Sequence, residues 1–164
     1  MGYAPEAWRD FAVTTGGLAG ALTGLLFVAV SLHGGALAKS LALRSRAAQT
    51  LVLFMTPAIS ALVLVAPQPG TVLGAELLAV ATASGAALYV LDRRAGRDPG
   101  ARMGVARYVE RVSPNTVTAV LFGIAGLTFL IKAGGGLYWL IPAVLAGLIG
   151  GVINAWLFLV SLHD

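Results

Sequence analysis

Long apolar segments separated by short polar ones run along the whole chain. Five of them hold at most one charged residue each over about 18 or more positions, the length at which an apolar helix crosses a hydrocarbon core about 30 Å thick. Lipid offers the backbone no hydrogen-bond partners, so each segment must satisfy its own polar groups as a helix. The pattern predicts an all-α transmembrane bundle with five spans in a single integral membrane domain, residues 1–164: 11–32, 47–66, 71–91, 116–133 and 137–162.

The composition favours the same interpretation. The chain is 58% hydrophobic and 11% charged, and its mean hydropathy is +0.87, whereas a soluble domain carries about a quarter charged residues. A small water-soluble core cannot bury so many apolar side chains, so the lipid bilayer is the expected surrounding. The chain has no cysteine, which excludes disulfides and thiolate metal sites.

The basic residues predict how the spans are oriented. All but Arg9 and Lys132 lie in two of the segments between spans, and the positive-inside rule makes those segments cytoplasmic. The N-terminus is then outside and the C-terminus cytoplasmic, and the bases are interpreted as topology signals, with no nucleic-acid partner expected. The basic loop 92–115 is expected to lie on the inner leaflet as a short amphipathic helix, or to dock a cytosolic protein.

Small residues recur at helical spacing in several spans. In lipid, helices associate through close backbone contact, which small side chains permit. Such faces predict helix packing and a homo-oligomer, although a coding bias toward glycine and alanine would produce part of the pattern by accident. The packing candidates in the first and last spans are Gly16, Gly20, Gly24, Gly147, Gly150 and Asn154.

The second span carries a polar stripe beside Pro57. Hydroxyls and an amide facing one another around a symmetry axis would line a narrow wet path, with Leu53 as its constriction. The alternative is that they bond between helices or to carbonyls freed by the proline. Glu76 is expected near the outer mouth of such a path, kept protonated, solvated, or paired with Lys132. The pore-lining candidates are Gln49, Leu53, Thr56, Ser60 and Glu76.

Two histidines occupy matching Val-Ser-Leu-His stretches, which raises the question of metal or haem ligation. On a helical wheel, however, His33 and His163 point away from the small-residue stripes and lie at the cytoplasmic ends of their helices. They are interpreted as interfacial residues. No metal or other cofactor is expected, and a haem-binding redox subunit is the weakest of the functional hypotheses.

The stretch from Trp8 to Phe11, then Gly17 and the segment ALTGLLFVAVSL at 21–32, resembles a family of small actinobacterial multi-span membrane proteins with no assigned activity. The resemblance implies a multi-span bundle in a bacterial cytoplasmic membrane and transfers no functional residues. Nucleotide-binding, hydrolase and zinc-protease motifs are missing, so no enzyme activity is predicted. Two functions remain: an oligomeric channel or pore for ions or small solutes, and a non-conducting accessory or regulatory subunit of a larger membrane complex.

Overall fold

The computed structural model describes residues 2–95 and 114–160, and within these ranges the chain is helical, without strands. Most of the loop predicted at 92–115, and His163 at the end of the last span, lie outside the described residues. Short 3-10 turns at Pro5–Trp8 and Gly136–Trp139 precede two of the helices. The helices are α1 Arg9–Leu32, α2 Gly34–Lys39, α3 Leu41–Val65, α4 Gly70–Ala95, α5 Pro114–Leu130 and α6 Leu140–Val160.

Four of the described helices are long and apolar enough to cross a membrane: Pro5–Leu32, Leu43–Val65, Gly70–Arg94 and Gly136–Val160. The all-α prediction is therefore confirmed, together with four candidate spans. The remaining apolar helix, α5, has 17 residues and measures about 26 Å. It ends at Leu130, earlier than the predicted 133, because the chain turns there with a positive φ of 52° at Lys132.

The second span begins six residues before its predicted start at 47. Ser40 caps the helix by accepting a hydrogen bond from the Leu43 amide at 3.3 Å, and no helix breaker follows before Pro57. Helix α3 therefore continues through Arg44 and Arg46, which the sequence pattern had assigned to a loop.

Helices α3, α4, α5 and α6 form a four-helix bundle in which successive helices pack side by side and α6 closes against α3. Helix α1 lies outside this bundle, almost entirely against α3. The successive helices run antiparallel, as the contacts of α4 with α5 illustrate: Gly74 meets Leu130 near one end, and Gly85 meets Ala119 towards the other. Helix α3 is therefore the central element of the chain.

One end of the bundle is closed by aromatic rings and by the N-terminal residues. The Leu137 amide donates to the Gly2 carbonyl at 2.9 Å, and the Gly135 amide donates to the Tyr3 hydroxyl at 3.0 Å. The Trp8 ring packs edge-on against Tyr138, with centroids 5.1 Å apart. We call this end the aromatic end, and the opposite end, which carries Arg44, Arg46, Arg93 and Arg94, the arginine end.

Candidate functional site

The polar stripe predicted in the second span lies inside the single chain. Its members recur along α3 at intervals of three or four residues, so they share one side of the helix. That side is buried: the exposed fractions are 0% for Leu53, 3% for Thr56, 3% for Ser60 and 8% for Gln49. The stripe therefore presents no open face at the surface of the chain.

A cluster of three polar residues lies at the arginine end of the stripe. The Gln49 side-chain amide donates to Asp92 Oδ1 at 2.6 Å, and the Asn115 amide donates to the same oxygen at 3.4 Å. We call Gln49, Asp92 and Asn115 the polar clamp, because they join α3, α4 and α5 where these helices meet.

Two members of the clamp are missing from the sequence-based candidates. The sequence analysis placed Asp92 and Asn115 at the two limits of the basic loop, where polar residues are expected whether or not they have a function. The signal that would have found them is depth in the membrane: Asp92 lies near the end of one span and Asn115 near the start of the next, at the level where Gln49 lies near the start of the second span. Gln49 itself was a predicted pore-lining residue, and in the structure its side-chain amide bonds to Asp92 of α4.

The threonine in the middle of the stripe bonds within its own helix. Thr56 Oγ1 donates to the Val52 carbonyl at 2.7 Å, a local bond that threonine commonly makes in helices. Pro57 lacks an amide hydrogen, so the Leu53 carbonyl loses its helical partner. Gly147 of α6 packs against that carbonyl so closely that an added Cβ would lie 3.3 Å from it.

Ser60, the last residue of the stripe, is a buried hydroxyl without a hydrogen-bond partner among the described residues. It lines a cavity of about 10 Å³ between α1, α3 and α6, together with Thr15. A cavity of that volume is at the lower limit for holding one water molecule. Thr118 of α5 carries a second buried hydroxyl with no partner in the described part of the chain.

Glu76 lies in the second turn of α4, near the aromatic end, and is partly buried. Lys132 is exposed, in the turn after α5, and the two form no ion pair in the described structure. The small residues Ala75, Ala79 and Thr82, which Glu76 flanks, are exposed on the outside of the bundle. The structure therefore does not bring Glu76 together with the four stripe residues of α3.

The two predicted glycine stripes face different surroundings. In α6, Gly147 and Gly150 are buried, and Asn154 is partly buried, so this stripe packs within the chain. In α1, an added Cβ at Gly16 would meet Ala61 at 3.4 Å, but one at Gly20 or Gly24 would meet nothing within 4 Å. Gly16 therefore contacts α3, whereas Gly20 and Gly24 face away from the bundle.

His33 is held by its own helix. Its Nδ1 donates to the Ala29 carbonyl at 2.9 Å, which leaves the ring partly buried where α1 ends. Within residues 2–95 and 114–160, no group of three or more His, Cys, Asp or Glu side chains is arranged to hold a metal ion.

Comparison with known proteins does not assign the chain to a family. No family model matches the chain, and neither the curated proteins nor the solved structures give a significant match. The resemblance to a family of actinobacterial membrane proteins therefore stays a prediction, as do the channel and the accessory-subunit hypotheses.

Proposed function

We propose that the protein is a non-conducting integral protein of a bacterial cytoplasmic membrane. Two copies of it associate with each other through α1. The observation that carries this proposal is the burial of the polar stripe. A pore around a symmetry axis needs polar side chains at the surface where copies meet, and all four stripe residues are less than one-tenth exposed. The alternative interpretation, hydrogen bonding between helices, fits Gln49, whereas Thr56 bonds to the Val52 carbonyl of its own helix, which is not the carbonyl that Pro57 frees.

The proposed orientation follows the charges and the rings. The arginine end is cytoplasmic by the positive-inside rule, and the aromatic end lies at the outer interface, where tryptophan and tyrosine are enriched. All five long helices then cross the bilayer, with α5 accommodated by local thinning or snorkelling. A membrane-impermeant thiol reagent should label Ala4→Cys from outside the cell and Arg94→Cys only after permeabilisation.

The surface proposed for self-association is the side of α1 turned away from α3. Residues that face α3, such as Ala19 and Thr23, are buried, whereas those on the opposite side are exposed. At about 100° per residue, five exposed residues fall within about 80° of arc. We call these five the α1 outer face: Thr14, Gly17, Ala21, Gly24 and Val28.

Two physical arguments support a second copy as the occupant. Glycine lowers the stability of a helix by about 1 kcal/mol relative to alanine. Gly17 and Gly24 contact nothing within the chain that explains this loss, so they favour close contact with a helix outside the chain. Copies inserted in one direction bring identical helices together in parallel, and small-residue faces of that kind complement each other. The exposed face of α4 offers alanines and Thr82 but no glycine, so backbones approach less closely there.

Cross-linking through single cysteines tests the proposal, because the natural chain has none. Gly24→Cys should form a covalent dimer in native membranes, since disulfides require Cα atoms within about 7 Å. The control is Ile153→Cys, at a similar distance from the start of α6 and 46% exposed, which should stay monomeric. Equal cross-linking of both variants, or a Gly24→Cys adduct with a different protein only, would contradict self-association through α1.

The channel hypothesis makes an opposite prediction and has its own measurement. We expect purified protein in planar bilayers to give no conductance above that of the lipid alone. A conductance that changes with Leu53→Ser or Glu76→Gln would overturn the non-conducting proposal and would require the helices to separate around the stripe.

A further inference from the structure

A cavity of about 280 Å³ opens between α1, α2 and α3 at the arginine end. The described side chains around it come from all three helices and are apolar except for Arg44, which is exposed at the rim of the cavity. The apolar residues that line it are Leu26, Phe27, Val30, Leu37, Ala47 and Leu51.

The walls of this cavity are fixed by packing and by local hydrogen bonds. Leu37 anchors the short helix α2 by packing with Ala47 and with the fully buried Phe158 of α6. The His33 ring and the Ser40 hydroxyl bond the backbone at the end of α1 and the start of α3. The cavity is therefore part of the folded chain and not a gap between loose segments.

We propose that this cavity binds one acyl chain of an anionic phospholipid whose phosphate binds the Arg44 guanidinium. Arg44 is exposed, and no carboxylate within the described ranges pairs with it. The planar guanidinium matches phosphate oxygens and forms charge-assisted hydrogen bonds to them. An apolar wall with one cation at its rim complements a molecule that is apolar along its length and anionic at one end.

The size of the cavity favours a lipid over a peptide. Sites for small ligands have volumes of about 300–1,000 Å³, so 280 Å³ accommodates part of one chain, while the remainder continues into the bilayer. One turn of a transmembrane helix, about 10 Å across with its side chains and about 5.4 Å long, occupies roughly 400 Å³, which is more than the cavity offers. The occupant is therefore a bilayer lipid selected by its headgroup.

Native mass spectrometry of the detergent-solubilised protein with added dioleoyl phosphatidylglycerol or dioleoyl phosphatidylcholine tests the proposal. One phosphatidylglycerol should bind at least about fivefold more tightly than phosphatidylcholine, the factor expected for one basic residue at a membrane surface. Arg44→Gln should abolish that preference. Its control is Arg94→Gln, which removes the same charge from an exposed residue at the same end and should retain the preference.

A second pair of variants tests the acyl-chain part of the site. Leu51→Trp fills the cavity and should weaken binding of both lipids, whereas Leu62→Trp, on the exposed side of the same helix (72% exposed), should not. Equal losses in Arg44→Gln and Arg94→Gln, or unchanged binding in Leu51→Trp, would overturn the site. Gly24→Leu should leave lipid binding unchanged, so a failure of self-association and a failure of this site are distinguishable.

Discussion

The polar side chains inside the bundle differ in whether a partner satisfies them. Gln49 and Asn115 both donate to Asp92, while Ser60 and Thr118 have buried hydroxyls with no hydrogen-bond partner in the described chain. A buried donor that loses its acceptor costs about 1–3 kcal/mol, whereas a buried hydroxyl without a partner contributes no bond to lose. Substitutions in the two groups should therefore have different effects on stability.

Asp92→Ala should lower the free energy of unfolding by about 0.5–1.5 kcal/mol, because the Gln49 and Asn115 amides lose a shared acceptor that is itself exposed to solvent. Asp92→Asn keeps an oxygen at the same position and should lose less. Unfolding by SDS titration in mixed micelles, followed by circular dichroism, measures both. Equal losses in the two variants would show that the acceptor oxygen is not what holds the three helices together.

Ser60→Ala should leave the free energy of unfolding unchanged or raise it by up to about 1 kcal/mol, since it removes a buried polar group that has no partner. Thr56→Ala is the comparison, because it also removes a bond to the Val52 carbonyl, and it should be the less stable of the two. The same titration distinguishes them, and a clearly destabilised Ser60→Ala would reveal a partner for this hydroxyl.

At the residue scale, the sequence predicted which side chains form the stripe but not what they contact. The spacing of Gln49, Thr56 and Ser60 is a local property of one helix and follows from its period. The partner Asp92 lies 43 residues away from Gln49, and only the antiparallel pairing of α3 with α4 brings them together. The stripe therefore gave two interpretations, and the choice between them depends on tertiary packing.

At the element scale, only some of the glycines mark a close approach between helices. In α5, a Cβ at Gly126 would lie 2.9 Å from the Leu78 amide nitrogen of α4, whereas one at Gly123 would meet nothing within 4 Å. The two glycines are one turn apart in one helix, yet only Gly126 is required for packing. Sequence spacing alone does not distinguish them, because each is part of the same small-residue pattern.

Gly126→Ala should destabilise the protein by about 1–3 kcal/mol, because the new methyl group overlaps the backbone of α4 and forces the helices apart. Gly123→Ala should be neutral or stabilising by up to about 1 kcal/mol, since alanine is the better helix former and the space is open. Equilibrium unfolding of the two variants gives the comparison. A similar loss in both would mean that helix propensity, and not close contact, decides the effect.

Helix ends were less predictable than helix interiors. The apolar runs predicted four helices that are long and apolar enough to cross a membrane. The start of α3 at Leu41, however, depends on the Ser40 cap, and the end of α5 depends on a turn with positive φ at Lys132 and at residues 134–136. Local hydrogen bonds and backbone conformation determine both helix ends, and the pattern of hydrophobic residues does not predict either of them.

At the scale of the whole molecule, the chain divides into a packed bundle and one peripheral helix. The bundle of α3, α4, α5 and α6 buries its aromatic and aliphatic core, whereas α1 contacts little besides α3. The sequence predicted that small residues would serve packing, but it could not show that the α6 glycines pack inside the chain while Gly17, Gly20 and Gly24 of α1 remain open. The proposed self-association through α1 rests on that division.

The mass of the particle in lipid nanodiscs tests this assignment most directly. We expect the natural protein to be a dimer and Gly24→Leu to be a folded monomer, because leucine at this open position fits the single chain but separates two α1 helices. The matched control Gly123→Leu, another glycine with no atom within 4 Å of an added Cβ, should remain a dimer. A natural protein that is monomeric, or a Gly24→Leu variant that stays dimeric, would contradict self-association through the α1 outer face.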